Sequence, residues 1–126
     1  EGNDKKPLQS IAKEQELQAL EAYGIVLDLT LPGNSADKEI LKQTHFHIAN
    51  IHNNYSSSKK RKKAKFHFKI AADLGIPKAA LNFASICKDS KNTTERNKVK
   101  EYFEKAAQQD LDETIKKKAQ EALKTL

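Results

Sequence analysis

Apolar residues along this chain recur at helical spacing, and no stretch alternates as a strand would. Leu17, Leu20, Tyr23 or Gly24, and Leu27 lie three and four apart, one face of a helix from about Leu8 to Leu27. Gly24 is a weak point within it. Thr30-Leu31-Pro32-Gly33 reads as a turn. A second helix opens after Asn34 or Ser35, either of which can cap it, and carries Ile40, Leu41, Thr44, Ile48 and Ile51 on one side. Asn53-Asn54 and the serines 56–58 end it, and Ser58 can cap a third helix over about 59–73. Gly75 suits the left-handed position just past that helix, and Pro77 suits the first turn of a fourth, about 77–88. Ala80, Leu81, Ala84 and Cys87 form its inner face. After a polar loop at 91–94, Thr93 or Thr94 caps a fifth helix, about 94–109. Asp110-x-x-Glu113 matches a capping box opening a sixth, lined inside by Leu111, Ile115, Ala119, Ala122, Leu123 and Leu126.

The prediction is all-α: one domain over 1–126, with three antiparallel helix pairs at 8–54, 59–89 and 94–126, the last ending in a capping helix. Residues 1–7 are polar and expected to be disordered.

Part of the pattern occurs twice, 35 residues apart. AKFHFKIAA at 64–72 matches VKEYFEKAA at 99–107 through Ala64/Val99, Phe68/Phe103, Ala71/Ala106 and Ala72/Ala107. FHIANIH at 46–52 matches LNFASIC at 81–87 through Phe46/Leu81, Ile48/Phe83, Ala49/Ala84 and Ile51/Ile86. Self-similarity at such a period signals stacked helical units, each burying one face on its neighbour. The alanines permit close helix approach, and Phe68 and Phe103 fill the spaces between hairpins.

These residues resemble the Sel-like repeat family, a branch of the tetratricopeptide-like solenoids. The family's first helix runs from Ala through two aromatics and a basic residue to Ala-Ala and then Gly. Ala64, His67, Phe68, Ala71, Ala72 and Gly75 stand at those places. In the next copy Val99, Tyr102, Phe103, Lys105, Ala106 and Ala107 do so, with Asp110 where Gly is expected. Ala79, Phe83, Ala84 and Cys87 match the second helix, as do Thr44, Ile48, Ala49 and His52 in another copy. The resemblance covers about 44–110. Residues 1–43 lack the Ala-Ala signature, and 111–126 depart from the pattern with Lys118 at an apolar place, as end units facing water should.

The resemblance implies a short right-handed α-solenoid with a concave groove lined by the first helix of each pair. It places Lys62, Lys65 and Lys69, and Asn97, Lys100 and Glu104, in that groove. Members of the family commonly act as adaptors in multiprotein assemblies, and in bacteria several act at the envelope or in host interaction.

Composition fits an elongated form. Apolar residues are 37% and charged residues 32%, with a mean hydropathy of −0.78, a poor stock for filling a sphere. The chain has no Met, which suggests a processed or trimmed form, cytoplasmic or exported after loss of a leader. Its longest apolar run, Ile25-Val26-Leu27, cannot span a bilayer. A single cysteine, Cys87, rules out an internal disulfide and reads as a buried small hydrophobe.

The net charge of +6 is uneven: residues 1–40 carry −4 and residues 41–126 carry +10. Lys59, Lys60, Arg61, Lys62, Lys63, Lys65 and Lys69 supply most of the excess, with no acid among them. On a helix Arg61, Lys65 and Lys69 form one stripe, flanked by Lys62. The stripe and the patch Lys59–Lys63 could meet an acidic protein, phosphates or anionic lipid, or could simply be a solvated face. Phe66 and Phe68 are assigned to packing, which leaves no aromatic for base stacking.

Four histidines raise the question of a metal. His45 and His52 lie seven apart, roughly 10 Å along a helix, too far for one ion. His45 and His47 point to different faces, and His67 takes an aromatic repeat position. No Gly-rich phosphate loop, nucleophile elbow or carboxylate pair is present, so catalysis, a metal and a cofactor are not expected. Sequons at Asn54-Tyr55-Ser56 and Asn92-Thr93-Thr94 carry no weight in an Asn-rich chain.

The expected function is a non-catalytic adaptor that binds an acidic peptide or protein surface in the groove. The alternatives are a polyanion binder, for nucleic acid or anionic lipid, acting through 59–69, and a chaperone for a secreted client.

Overall fold

The computed structural model describes residues 8–30, 35–108 and 112–126. Seven helical segments make up the order: α1 (Leu8–Leu29), α2 (Ser35–Asn53), α3 (Ser58–Asp73), α4 (Pro77–Lys88), α5 (Thr93–Asn97), α6 (Val99–Gln108) and α7 (Glu113–Lys124). Among the described residues there is no strand. The expectations for residues 1–7, for Leu31-Pro32-Gly33, for Asn34 and for Asp110 and Leu111 lie outside the described residues.

The helix starts differ from the sequence reading by one or two residues. Ser57, not Ser58, caps α3: its Oγ accepts from the Lys60 N–H at 3.2 Å. Asn92, not Thr93 or Thr94, caps α5, its Oδ1 accepting from the Thr94 N–H at 2.8 Å. Asp112 caps α7, accepting from Thr114 and Ile115. Each supplies an acceptor to first-turn N–H groups that have no partner inside the helix. The predicted fifth helix is two segments. At Lys98 the N–H bonds to Glu95 O at 3.0 Å, closing a tight turn, and the Lys98 carbonyl starts α6 by accepting from Tyr102 at 3.1 Å.

The α3–α4 junction follows the expected chemistry. Ile76 N–H bonds to Ala71 O and Gly75 N–H to Ala72 O, both at 3.0 Å. This is the Schellman pairing, which caps the last carbonyls of α3. Gly75 takes φ +112°, open to glycine and strained for other residues. Pro77 then occupies the first turn of α4, where no N–H is needed.

The main packings join α2 to α3, α3 to α4, α4 to α6 and α6 to α7, so the helices pack largely in chain order. The core is a band of alanines and aromatics: Ala64, Phe68, Ala71, Ala79, Phe83, Ala84, Tyr102, Phe103 and Ala106 are all buried. Phe83 meets Tyr102 edge-on at 4.5 Å, and Phe46 meets Phe68 at 6.1 Å. Helix α1 packs on α2 alone to any extent and supplies no buried residue among those described. Leu17 of α1, predicted inward, is therefore exposed, and Ile40 of α2 and Leu126 beyond α7, also predicted inward, are exposed as well.

Burial repeats with the sequence. Ala64 and Val99, Phe68 and Phe103, and Ala71 and Ala106 are buried at the 35-residue offset. Ala49 of α2, Ala84 of α4 and Ala119 of α7 stand 35 apart and are all wholly buried.

Candidate functional site

The outward face of α3 is cationic and carries one large apolar group. Buried Ala64, Phe68, Ala71 and Ala72 fix the inward side. At about 100° per residue, Lys59, Lys62, Lys63 and Phe66 then fall together on the opposite side. All four are exposed, Phe66 by 61%. Phe66, expected to pack inward, is instead exposed. Phe66 and Phe68 are about 200° apart on a helix, so one core can take only one of them. It takes Phe68.

Among the described residues no carboxylate pairs with Lys59, Arg61, Lys62 or Lys63. Lys60 instead lies over the Tyr55 ring, its Nζ 3.8 Å from the centroid. The first turn of α3 contains no acid. Cations thus crowd the positive end of a helix dipole, an arrangement that costs the free protein stability. It is the clearest local conflict in the chain, and such conflicts concentrate at functional sites.

The stripe Arg61, Lys65 and Lys69 lies elsewhere. Lys65 pairs with Glu95 of α5, whose carboxyl is held below its ordinary value by hydrogen bonds from Lys65 and Ser90. Lys69 pairs with Asp73 at 3.0 Å. Arg61, Lys62 and Lys65 border a cleft of about 180 Å³ together with Ile86, Asp89 and Glu95. Lys100 and Glu104 border a different cleft, of about 420 Å³, with Leu123 of α7 and Leu126 just past its end. Asn97 is exposed at the end of α5. Of the six groove candidates, Lys62 and Lys65 border one cleft, Lys100 and Glu104 border the other, and Lys69 and Asn97 border neither, while Lys65 and Lys69 are already neutralised internally.

The histidines divide as well. His47 stacks on Tyr23 of α1 at 5.8 Å, while His45 turns to α3 and meets His67, Nδ1 to Nδ1, at 2.9 Å. The sequence separates His45 and His67 by 22 residues, and only the register of α2 on α3 joins them. Among the described residues no three His, Cys, Asp or Glu side chains are placed to hold a metal ion. Lys60 and Lys63 bear on His52, and Lys63 on His67, which would further oppose a cation. Burial pushes the Cys87 thiol up to about 11, so it is an un-ionised core group.

Chemically, the α3 face offers cations for anionic groups and one flat apolar side chain beside them. Among the described residues no helix is long and apolar enough to cross a membrane. No family model, curated protein or solved structure matches the chain.

Proposed function

We propose that the chain is a non-catalytic interaction module, built as a short right-handed α-solenoid of Sel-like repeats, that docks an acidic protein segment on the outward face of α3. The solenoid reading is supported by Ala49, Ala84 and Ala119, buried at a constant 35-residue interval. The observation that carries the binding reading is the unpaired cluster Lys59, Lys62 and Lys63 around exposed Phe66. An acidic segment would remove the repulsion among the lysines and the conflict with the helix dipole. Phe66 would anchor an apolar residue of the partner and give the contact a part that salt does not screen.

A second reading is favoured by the same phenylalanine. A ring beside lysines is also the arrangement on which single-stranded nucleic acid stacks. Fluorescence anisotropy separates the two. A labelled peptide with a Glu/Asp cluster beside a Leu-Phe pair and a labelled oligothymidylate are titrated with the protein at low and moderate salt. The adaptor reading expects peptide binding that persists at moderate salt and weakens in Phe66→Ser. Oligonucleotide binding alone, lost steeply with salt, would replace it with the second reading.

A further inference from the structure

Three imidazoles from two helices form one stack. His45 and His52 of α2 both lie against His67 of α3, with ring centroids at 5.1 and 6.4 Å and planes within 26° and 20°. The 2.9 Å contact between the Nδ1 atoms of His45 and His67 has room for one proton. One nitrogen donates and the other must accept through its lone pair. A second proton would set two N–H groups against each other at hydrogen-bond distance. His52 adds a buried Nδ1 with no hydrogen-bond partner among the described residues, on a residue 8% exposed.

The charges acting on the stack are cations. Lys60 and Lys63 of α3 bear on His52, and Lys63 also bears on His67. From α2, His45 and His52 are the titratable groups beside His67. From the α1 side, Glu16 is engaged by the Tyr55 hydroxyl at 2.8 Å. The Glu39 carboxylate on α2 is held by Lys42 at 2.8 Å. Among the described residues no acid acts on these rings to compensate a charge placed on them.

We propose that the His45–His67–His52 stack is an acid-sensitive latch on the α2–α3 interface, closed while the rings share a single proton between His45 and His67 and opened when a further proton enters. Opening would separate the α1–α2 hairpin from the α3–α7 body, because α1 is held mainly by α2. It must also part Phe46 from Phe68. The direction of the titration agrees with this geometry. Burial lowers His45 and His52, and burial followed by the neighbouring His45, His52 and Lys63 takes His67 down to about 4. Released rings titrate near their ordinary value of about 6.5. Between those limits the open state binds more protons, so the closed state loses ground as pH falls from about 6.5 to about 4 and is unaffected above.

The test is amide hydrogen exchange on the full chain at neutral pH and at pH near 4.5, corrected for intrinsic exchange, for the native chain and His67→Phe. The native chain should lose protection in α2 and the facing part of α3, by about tenfold or more as linkage through one such ring requires, while α4, α6 and α7 keep theirs. His67→Phe should lose markedly less in α2. Equal losses in both proteins, or a loss spread over every helix, would overturn the latch. Should His67→Phe not fold, imidazole C–H titration of the native chain by NMR decides. His67 titrating well below its ordinary range, with α2 amides shifting together, supports the latch. Titration near the ordinary value with no response in α2 sinks it.

Discussion

The Tyr102 hydroxyl on α6 donates to Oδ1 of Asp73, the last residue of α3, at 2.8 Å. Lys105 reaches the same oxygen at 3.2 Å and Lys69 the other at 3.0 Å. Tyr102 is buried, so one carboxylate ties α3 to α6 across a pair of helices that share little other contact. Removing the donor by Tyr102→Phe leaves Asp73 two cations and should cost about 0.5–1.5 kcal/mol. Removing the acceptor by Asp73→Ala strands a buried hydroxyl and should cost about 1–3 kcal/mol. Urea denaturation of both variants checks the order. A larger loss in Tyr102→Phe would mean that the hydroxyl is not held by Asp73.

The same carboxylate sets a pH dependence. Burial alone would raise Asp73, but hydrogen bonds from Lys69, Tyr102 and Lys105 outweigh it and hold the group below its ordinary value. The unfolded chain then takes up the proton first as pH falls. The contribution is complete above the ordinary carboxylate value of about 3.9 and is lost below it, as pH falls through the folded value. Asp73→Asn should therefore flatten the stability curve below that pH and leave the histidine-linked slope above it unchanged. Thermal denaturation as a function of pH separates the two ranges.

Gly75 offers a cleaner backbone test. A Cβ there would meet nothing within 4 Å, so space is not the constraint. The φ of +112° is. Gly75→Ala should destabilise by roughly 1–2 kcal/mol, the cost of placing an L-residue at positive φ. Gly24 also has no neighbour within 4 Å, but it sits inside helix α1. Gly24→Ala should stabilise α1 by up to about 1 kcal/mol. Opposite signs at two uncrowded glycines would identify backbone conformation as the cause.

Helix existence was legible because Ala, Phe and Leu recur at helical spacing, and the α3–α4 junction because Gly and Pro have few other uses at those places. The caps were misplaced because Ser57 and Ser58, or Asn92 and Thr93, are adjacent residues that can each accept from the first turn. Which one serves depends on where the backbone turns helical, and composition does not encode that. The exposure of Phe66 was legible in principle: Ala64, Phe68, Ala71 and Ala72 define one side, and Phe66 stands opposite. Counting it as packing followed its type and ignored its angle. Lys65 and His67 were different. Their partners, Glu95 and His45, lie 30 and 22 residues away, and helical periodicity constrains a residue's face, not what a second helix brings to it.

The two phenylalanines should behave oppositely. Phe68→Ala empties a fully buried site and should cost about 3–5 kcal/mol, enough to unfold much of a domain this size. Phe66→Ser removes an exposed ring and should change stability by less than about 0.5 kcal/mol. If binding uses the α3 face, only Phe66→Ser yields a folded protein with weakened peptide affinity. Denaturation and anisotropy on the same preparations test both halves.

The charge conflict at the start of α3 makes the sharpest prediction, because it opposes stability to binding. Lys59 lies in the first turn, where a carboxylate is favoured by the helix dipole and would also face Lys62 and Lys63. Lys59→Glu should therefore stabilise the free protein by about 0.3–1 kcal/mol. The same change removes one cation from the docking face and adds an anion, so affinity for the acidic peptide should fall. A solvated face with no partner predicts the gain in stability and no change in binding. Loss of stability in Lys59→Glu would mean that the lysines at this helix end are already compensated within the fold, leaving no local conflict for a partner to relieve.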